Sequence, residues 1–166
     1  MKIVKKSFNY STEANSVPVS IYKGPLNKTA GMSTEENGYG GGWLIGSVDT
    51  PLSTTDVHTC AALNLVNMNT FKQLLYHVFH ETNSLKIENL IRKVFPDFTN
   101  VNIVGGQQFP TVNTMRKIAE AVDNVNPNAP KTYYHTLCDN PELVAYKGNI
   151  SYVKGKSGEI SFVQDT

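Results

Sequence analysis

The sequence is short of charge and short of cysteine. Of 166 residues only 17% are charged, and Lys plus Arg number 15 against 14 Asp plus Glu, a formal net charge of +1. With no excess of either sign and no Lys/Arg cluster, the chain lacks the electrostatic footprint of a nucleic-acid reader or of an anionic-membrane binder. Two cysteines, Cys60 and Cys138, cannot build a disulfide framework. A single bridge between them stays open, and unpaired thiols fit a reducing cytosol, either the producer's own or that of a cell the protein enters. No unbroken apolar run approaches the ~20 residues of a membrane span. The basic first 16 residues lack the apolar stretch of ~7–15 that a secretory signal needs. The glycine run around Gly38 to Gly42 is followed by neither GK[ST] nor a helix-opening GxGxxG, so it is not a phosphate loop.

What is present is a hydrophobic content of 40%, with polarity carried mainly by Asn, Thr and Tyr. One domain of ~100–200 residues suits the length, and a chain of this size buries roughly 68–70% of its unfolded surface without staples. There is no internal repeat. Residues 1–42 are the least regular, and they read as an arm or loop with one candidate strand at 17–22 (VPVSIY). Residues 23–42, rich in glycine, read as a long loop over the body. The more regular domain is 43–166. Residues 43–48 (WLIGSV) read as a strand. Segments 57–66 (VHTCAALNLV) and 71–80 (FKQLLYHVFH) fit strand or helix by periodicity. If 71–80 is a strand, Leu75, His77 and Phe79 share one face, and Leu74, Tyr76, Val78 and His80 the other.

Residues 84–95 (SLKIENLIRKVF) carry helix signals: Ser84 as N-cap, Ile87, Leu90, Ile91 and Val94 on one face, and Pro96 as terminator. A strand at 100–104 ends in Gly105-Gly106. A second helix spans 111–122, capped by Thr111 or Asn113, with Met115, Ile118 and Val122 inward. Strands follow at 132–137, 143–146, 149–153 and 160–163, with Lys156-Ser157-Gly158 as a hairpin turn between the last two. Strands, then two helices around a strand, then more strands predict an α/β fold. Its core is a mixed β-sheet or β-sandwich with two flanking helices.

Chemistry-bearing residues fall in three pairs, His58-x-Cys60, His77-x-x-His80 and His135-x-x-Cys138. A Cys/His couple is one reading. A thiol with an ordinary pKa near ~8.5 is mostly protonated at neutral pH, and a neighbouring imidazole takes its proton to give a thiolate nucleophile. Adjacent strands lie ~4.8 Å apart, so Cys60 and His77, on successive elements, can meet. A zinc site is the other reading, since all these residue types ligate zinc. On a strand, however, His77 and His80 point to opposite faces, and neither HExxH nor paired CxxC is present. His80-Glu81 is a rival base–carboxylate couple whose place at an element's end predicts solvent exposure. Asp56 reads as a loop cap, and Tyr133, Tyr134, Tyr146 and Tyr152 as half-buried strand residues. Each Cys and His also has an ordinary reading as a core or surface residue.

The spacing of Thr54, Cys60 and His77 resembles that of the bacterial chemoreceptor glutamine deamidases, CheD. That fold and Cys/His pair are shared by the catalytic domains of cytotoxic necrotizing factor toxins. Thr54 lies six residues before Cys60 and His77 seventeen after it. Val101 to Gly106, the helix over Met115 to Ala121, and the strand after Gly158 look like further parts of the pattern, which covers about 43–163. Two departures stand out: His58-Thr59 replaces the family's Gly-Ser before the nucleophile, and residues 1–42 have no counterpart. The resemblance implies a CheD-like fold and a cysteine hydrolase deamidating glutamine side chains of a protein substrate, as a signalling enzyme or a bacterial effector or toxin. It implies Cys60 as nucleophile, His77 as base and then acid, Thr54 or Thr55 as the group orienting the imidazole, and no metal or cofactor. The expected partner is a protein with a surface glutamine, with no nucleic acid and no membrane. The expected location is cytoplasmic, or a host cell reached by a signal-peptide-independent route. The competing readings are a non-catalytic protein-binding domain with Cys60 and His77 in its core, and a zinc-dependent hydrolase.

Overall fold

A computed structural model of the chain describes residues 3–5, 15–17, 28–30, 41–55, 57, 59–105, 111–136, 142–152 and 162–165. The elements in chain order are β1 (Ile3–Lys5), β2 (Asn15–Val17), β3 (Lys28–Ala30), β4 (Trp43–Ser47), β5 (Leu52–Thr54), β6 (Ala61–Asn67), β7 (Lys72–Val78), α1 (Ser84–Val94), β8 (Asn100–Gly105), α2 (Thr111–Val125), β9 (Lys131–Thr136), β10 (Leu143–Tyr146), β11 (Asn149–Tyr152) and β12 (Phe162–Asp165). The fold is mixed α/β. One sheet has the order β2-β1-β12-β9-β8-β6-β7-β4, and a second the order β11-β10-β5-β3. Most pairs are antiparallel. The exceptions are β1 with β12, β8 with β9, and β3 with β5. The β8–β9 pair is bridged by α2, as a parallel connection requires.

Alternation along the central strands decides the layering. Leu63 and Leu65 of β6, Leu74, Tyr76 and Val78 of β7, and Val101 and Ile103 of β8 form one buried cluster with Ile87, Leu90 and Ile91 of α1 and Met115, Ile118 and Val122 of α2. The other face contributes Ala62, Leu75 and Val104 to a second cluster with Leu52, Leu143, Ala145 and Ile150 of the small sheet. Helices, large sheet and small sheet therefore stack as three layers, and β6 and β7 are buried on both faces. That burial explains why their sequences lack a clean apolar–polar alternation.

Between the sheets the large sheet also carries amides. Asn64 Nδ2 donates to Gln73 Oε1 at 3.1 Å and to the Leu74 carbonyl at 3.0 Å. Asn102 Nδ2 donates to Asn64 Oδ1 at 2.9 Å and to the Gly148 carbonyl at 3.0 Å. Gln73 Nε2 reaches the carbonyls of Ser47, Thr50 and Ala145 at 3.2, 2.9 and 3.0 Å. This ladder crosses β8, β6 and β7 and ties them to the small sheet. Tyr134 of β9 adds a link: burial pushes its phenol up to about 12, while a hydrogen bond from the Ile150 backbone pulls the other way.

Three readings of the sequence are corrected. Asn83, not Ser84, caps α1; its backbone is extended and its side chain accepts from Lys86 N at 2.9 Å. The tight hairpin joins β10 to β11 through Lys147 and Gly148, both at positive φ (52° and 80°), with Tyr146 and Asn149 paired across it. The hairpin expected around Lys156-Ser157-Gly158 does not pair its flanking strands. β11 belongs to the small sheet, while β12 lies between β1 and β9 of the large one. Finally, residues 1–42, read as an arm or loop with one candidate strand at 17–22, contain three strands among the described residues, one of them inside the expected 23–42 loop. Strands of three residues are too short to show alternation, and β1 and β3 also pair with later strands, β12 and β5. Only Val17 of the expected 17–22 strand is described.

Asn64→Ala removes the hub of the amide ladder, leaving Gln73 Oε1 without its donor and Asn102 Nδ2 with one acceptor fewer. The expected loss is about 2–4 kcal/mol, read as a lower urea midpoint. An unchanged midpoint would show that the ladder contributes nothing net.

Candidate active site

His77 is held by three neighbouring segments. In the β6–β7 ladder it pairs with Ala62, so its side chain lies on the face turned toward the small sheet. It is fully buried. From the small sheet Thr54, the last residue of β5 and paired with Leu143, places Oγ1 2.8 Å from His77 Nδ1. The backbone N–H of His77 donates to the Gly42 carbonyl at 2.9 Å. Gly41, at φ 155°, lies so close that a Cβ there would overlap the His77 carbonyl oxygen. Phe79 presents its ring edge-on at 5.9 Å.

Cys60 immediately precedes β6 and is 4% exposed. The ladder pairs Ala61 with Val78 and Ala62 with His77. The ladder ends at the Ala61–Val78 pair, so Cys60 stands at the entry to β6, two residues before the partner of His77. The Cys60 carbonyl accepts a hydrogen bond from Thr111 Oγ1 at 2.9 Å, so the first turn of α2 sits against Cys60. Thr111, which with Asn113 was a candidate cap in the sequence, ties the helix start to the strand. Gly105 makes the approach sterically open, since a side chain there would strike Met115 and Thr111.

On the outer side, Thr59 Oγ1 lies 4.0 Å from Cys60 Sγ and 3.3 Å from His80 Nδ1. His80 Nε2 is 3.6 Å from Glu81 Oε1, with side chains 41% and 85% exposed, so this couple is at the surface. Thus the structure brings Thr54 to His77 and places Cys60 on the neighbouring strand's entry, while His77 and His80 lie apart, one between the sheets and one outside. Among the described residues no three His, Cys, Asp or Glu side chains gather in a metal-binding group. His58, Asp56 and Cys138, and with Cys138 the other half of the bridge left open above, lie outside the described residues; so does the side chain of His135. Gly41, Thr59 and Thr111 were not legible as site neighbours. The glycine run was conspicuous, but its contact with His77 is set by tertiary packing.

No protein-family model matches the chain, and no curated protein matches it. Among the described residues, no helix is long and apolar enough to cross a membrane.

Gly41→Ala should be poorly tolerated, because its Cβ meets backbone oxygen rather than a movable side chain. A loss of about 2–4 kcal/mol is expected, together with displaced His77 ring resonances in NMR spectra. A parent-like denaturation midpoint with unmoved resonances would contradict the close packing of Gly41 on His77.

Proposed function

We propose that the chain is a Cys–His amidohydrolase that deamidates glutamine side chains of a protein substrate, with a fold of the CheD and cytotoxic necrotizing factor kind. The observation that carries this reading is the 2.8 Å contact between Thr54 Oγ1 and His77 Nδ1. A hydroxyl on Nδ1 fixes the ring and, by accepting Nδ1–H, favours the tautomer whose Nε2 takes a proton. Two further observations support the assignment: Cys60 lies two residues before Ala62, the strand partner of His77, and α2 begins beside Cys60, where a helix N-terminus favours a thiolate.

In the proposed reaction His77 Nε2 takes the Sγ proton. The thiolate of Cys60 attacks the carboxamide carbon, the C–S bond forms, and negative charge gathers on the carbonyl oxygen, where backbone N–H groups near Cys60 stabilise it. The intermediate collapses with cleavage of C–N, the imidazolium delivers its proton to nitrogen, and ammonia leaves. A water molecule, deprotonated by His77, then attacks the thioester. The C–O bond forms, C–S breaks, and glutamate and the resting thiol are regenerated. Thr54 keeps the imidazole oriented throughout. An amine in place of water would give transglutamination. Thr55, the alternative orienting residue, follows β5, and the 2.8 Å contact to Nδ1 is made by Thr54. Catalysis takes place in the cytosol of the producer or of a host cell.

Burial favours a second reading. Cys60 is 4% and His77 0% exposed, as expected of core residues in a non-catalytic protein-binding domain. Action on a protein requires an opening that brings Sγ within reach of a glutamine, whereas the binding-domain reading requires none.

Iodoacetamide at about pH 6 separates the two. The enzyme reading expects selective labelling at Cys60, lost in Cys60→Ser, and labelling only after denaturation would sink it. Incubated with candidate proteins, the chain should add about +1 Da per converted side chain in intact-mass spectra, an effect absent in Cys60→Ser and His77→Ala. Thr54→Val should slow conversion about 10- to 100-fold, and Thr54→Ser should retain most of it. Equal rates for Thr54→Val and the parent chain would remove Thr54 from the site.

A further inference from the structure

Two histidines, His77 on β7 and His80 just beyond it, bear on the reading of Cys60, and the two are built into the protein differently. His77 is buried between the sheets and held by Thr54. His80 is at the surface, where it meets Thr59 Oγ1 through Nδ1 at 3.3 Å and Glu81 Oε1 through Nε2 at 3.6 Å. Thr59 Oγ1 is in turn 4.0 Å from Cys60 Sγ, within reach for a hydrogen bond to sulfur. Glu81, His80, Thr59 and Cys60 thus form an unbroken polar chain from solvent to the buried thiol.

We infer that Thr59 and His80 are positioning residues for the Cys60 thiolate, with the imidazolium of His80 turning the Thr59 hydroxyl hydrogen toward Sγ. The inference rests on Cys60 being the nucleophile proposed above. A threonine hydroxyl has one hydrogen and two lone pairs. When Nδ1 of His80 carries a proton it donates to Oγ1, and the hydroxyl hydrogen is left to donate to sulfur. An anionic sulfur accepts that bond, so the thiolate is favoured. When Nδ1 carries no proton, the hydroxyl donates to the ring instead and offers sulfur only a lone pair, which favours the protonated thiol. The charged groups that face His80 among the described residues are Glu81, whose carboxylate lies 3.6 Å from Nε2, and Lys117 of α2, whose ammonium donates to the His80 carbonyl at 2.9 Å. The carboxylate meets the ring itself and the ammonium meets the backbone.

This assigns the two histidines separate duties. His77 moves the proton, and His80, acting through a hydroxyl, sets how readily the thiol releases it. It also gives Thr59 a reason to precede the nucleophile: its side chain reaches outward to the imidazole while its successor turns inward.

The experiment follows the thiolate itself and needs no substrate. In a Cys138→Ser chain, the ultraviolet absorbance of the Cys60 thiolate is titrated against pH. Thr59→Val keeps the side-chain shape and removes the hydroxyl; His80→Ala removes the imidazole from an exposed position. Each should raise the midpoint by roughly one pH unit, a tenfold smaller thiolate fraction below it. Thr59→Ser, which restores the hydroxyl, should titrate with the parent. Midpoints for Thr59→Val and His80→Ala that coincide with the parent's would overturn the inference, as would a Thr59→Ser shift equal to that of Thr59→Val, which would trace the effect to packing. If circular dichroism shows that Thr59→Val has unfolded, His80→Ala decides alone. A parent chain that titrates as expected but converts no glutamine would refute the deamidase reading and leave this one standing.

Discussion

The structure depends on how polar groups are satisfied between two sheets that exclude water. A sandwich interface made only of hydrocarbon would tolerate sliding of one sheet over the other. Here the interface contains Asn64, Gln73, Asn102, Thr54 and His77, all buried. A buried polar group that loses its partner costs about 1–3 kcal/mol, so each bond between the sheets penalises displacement. Gln73 to the Ala145 carbonyl, Asn102 to the Gly148 carbonyl, and Thr54 to His77 are such bonds. The small sheet therefore docks in one register, and that register sets a threonine hydroxyl against an imidazole. Positioning of the candidate base is a product of the same constraint that orders the core.

Much of the architecture was legible because long-range packing agreed with local pattern. Ile87, Leu90 and Ile91 marked a helix face, and the same residues are its buried side. Leu75 and His77 were set apart from Leu74, Tyr76 and Val78, and the two hydrophobic clusters divide β7 in that way. Legibility failed where local signals compete or are absent. Asn83 and Ser84 are both good caps, and only the backbone turn chooses between them. Lys156-Ser157-Gly158 and Lys147-Gly148 both look like turns, but the first stands between strands of different sheets. The segments β1, β2 and β3 are only three residues long, and β1 and β3 also pair with strands outside any local window, β12 and β5.

The same contrast applies to the site. Cys60, His77 and Thr54 stood out because thiol, imidazole and hydroxyl are reactive or polar types at suggestive separations. The residues that shape their surroundings are chemically quiet. Gly41 matters for the side chain it lacks, and Thr111 for a hydroxyl that donates to the Cys60 carbonyl. Asn64, Gln73 and Asn102 read as ordinary polar strand residues until the second sheet covers them. Sequence exposes what can react; the packed interior determines what is held still.

The parallel pairing of β1 with β12 has a kinetic corollary. Ile3 lies beside Phe162 and Val4 beside Val163, so contacts near the two extremes of the sequence complete one end of the large sheet. Loop-closure entropy opposes so distant a pairing early on. On the ribosome β1 has β2 at hand but waits for β12 until every strand between them has been synthesised. Assembly would proceed outward from the β6–β7 hairpin, and the seam between β1 and β12 would close last and, on unfolding, part first.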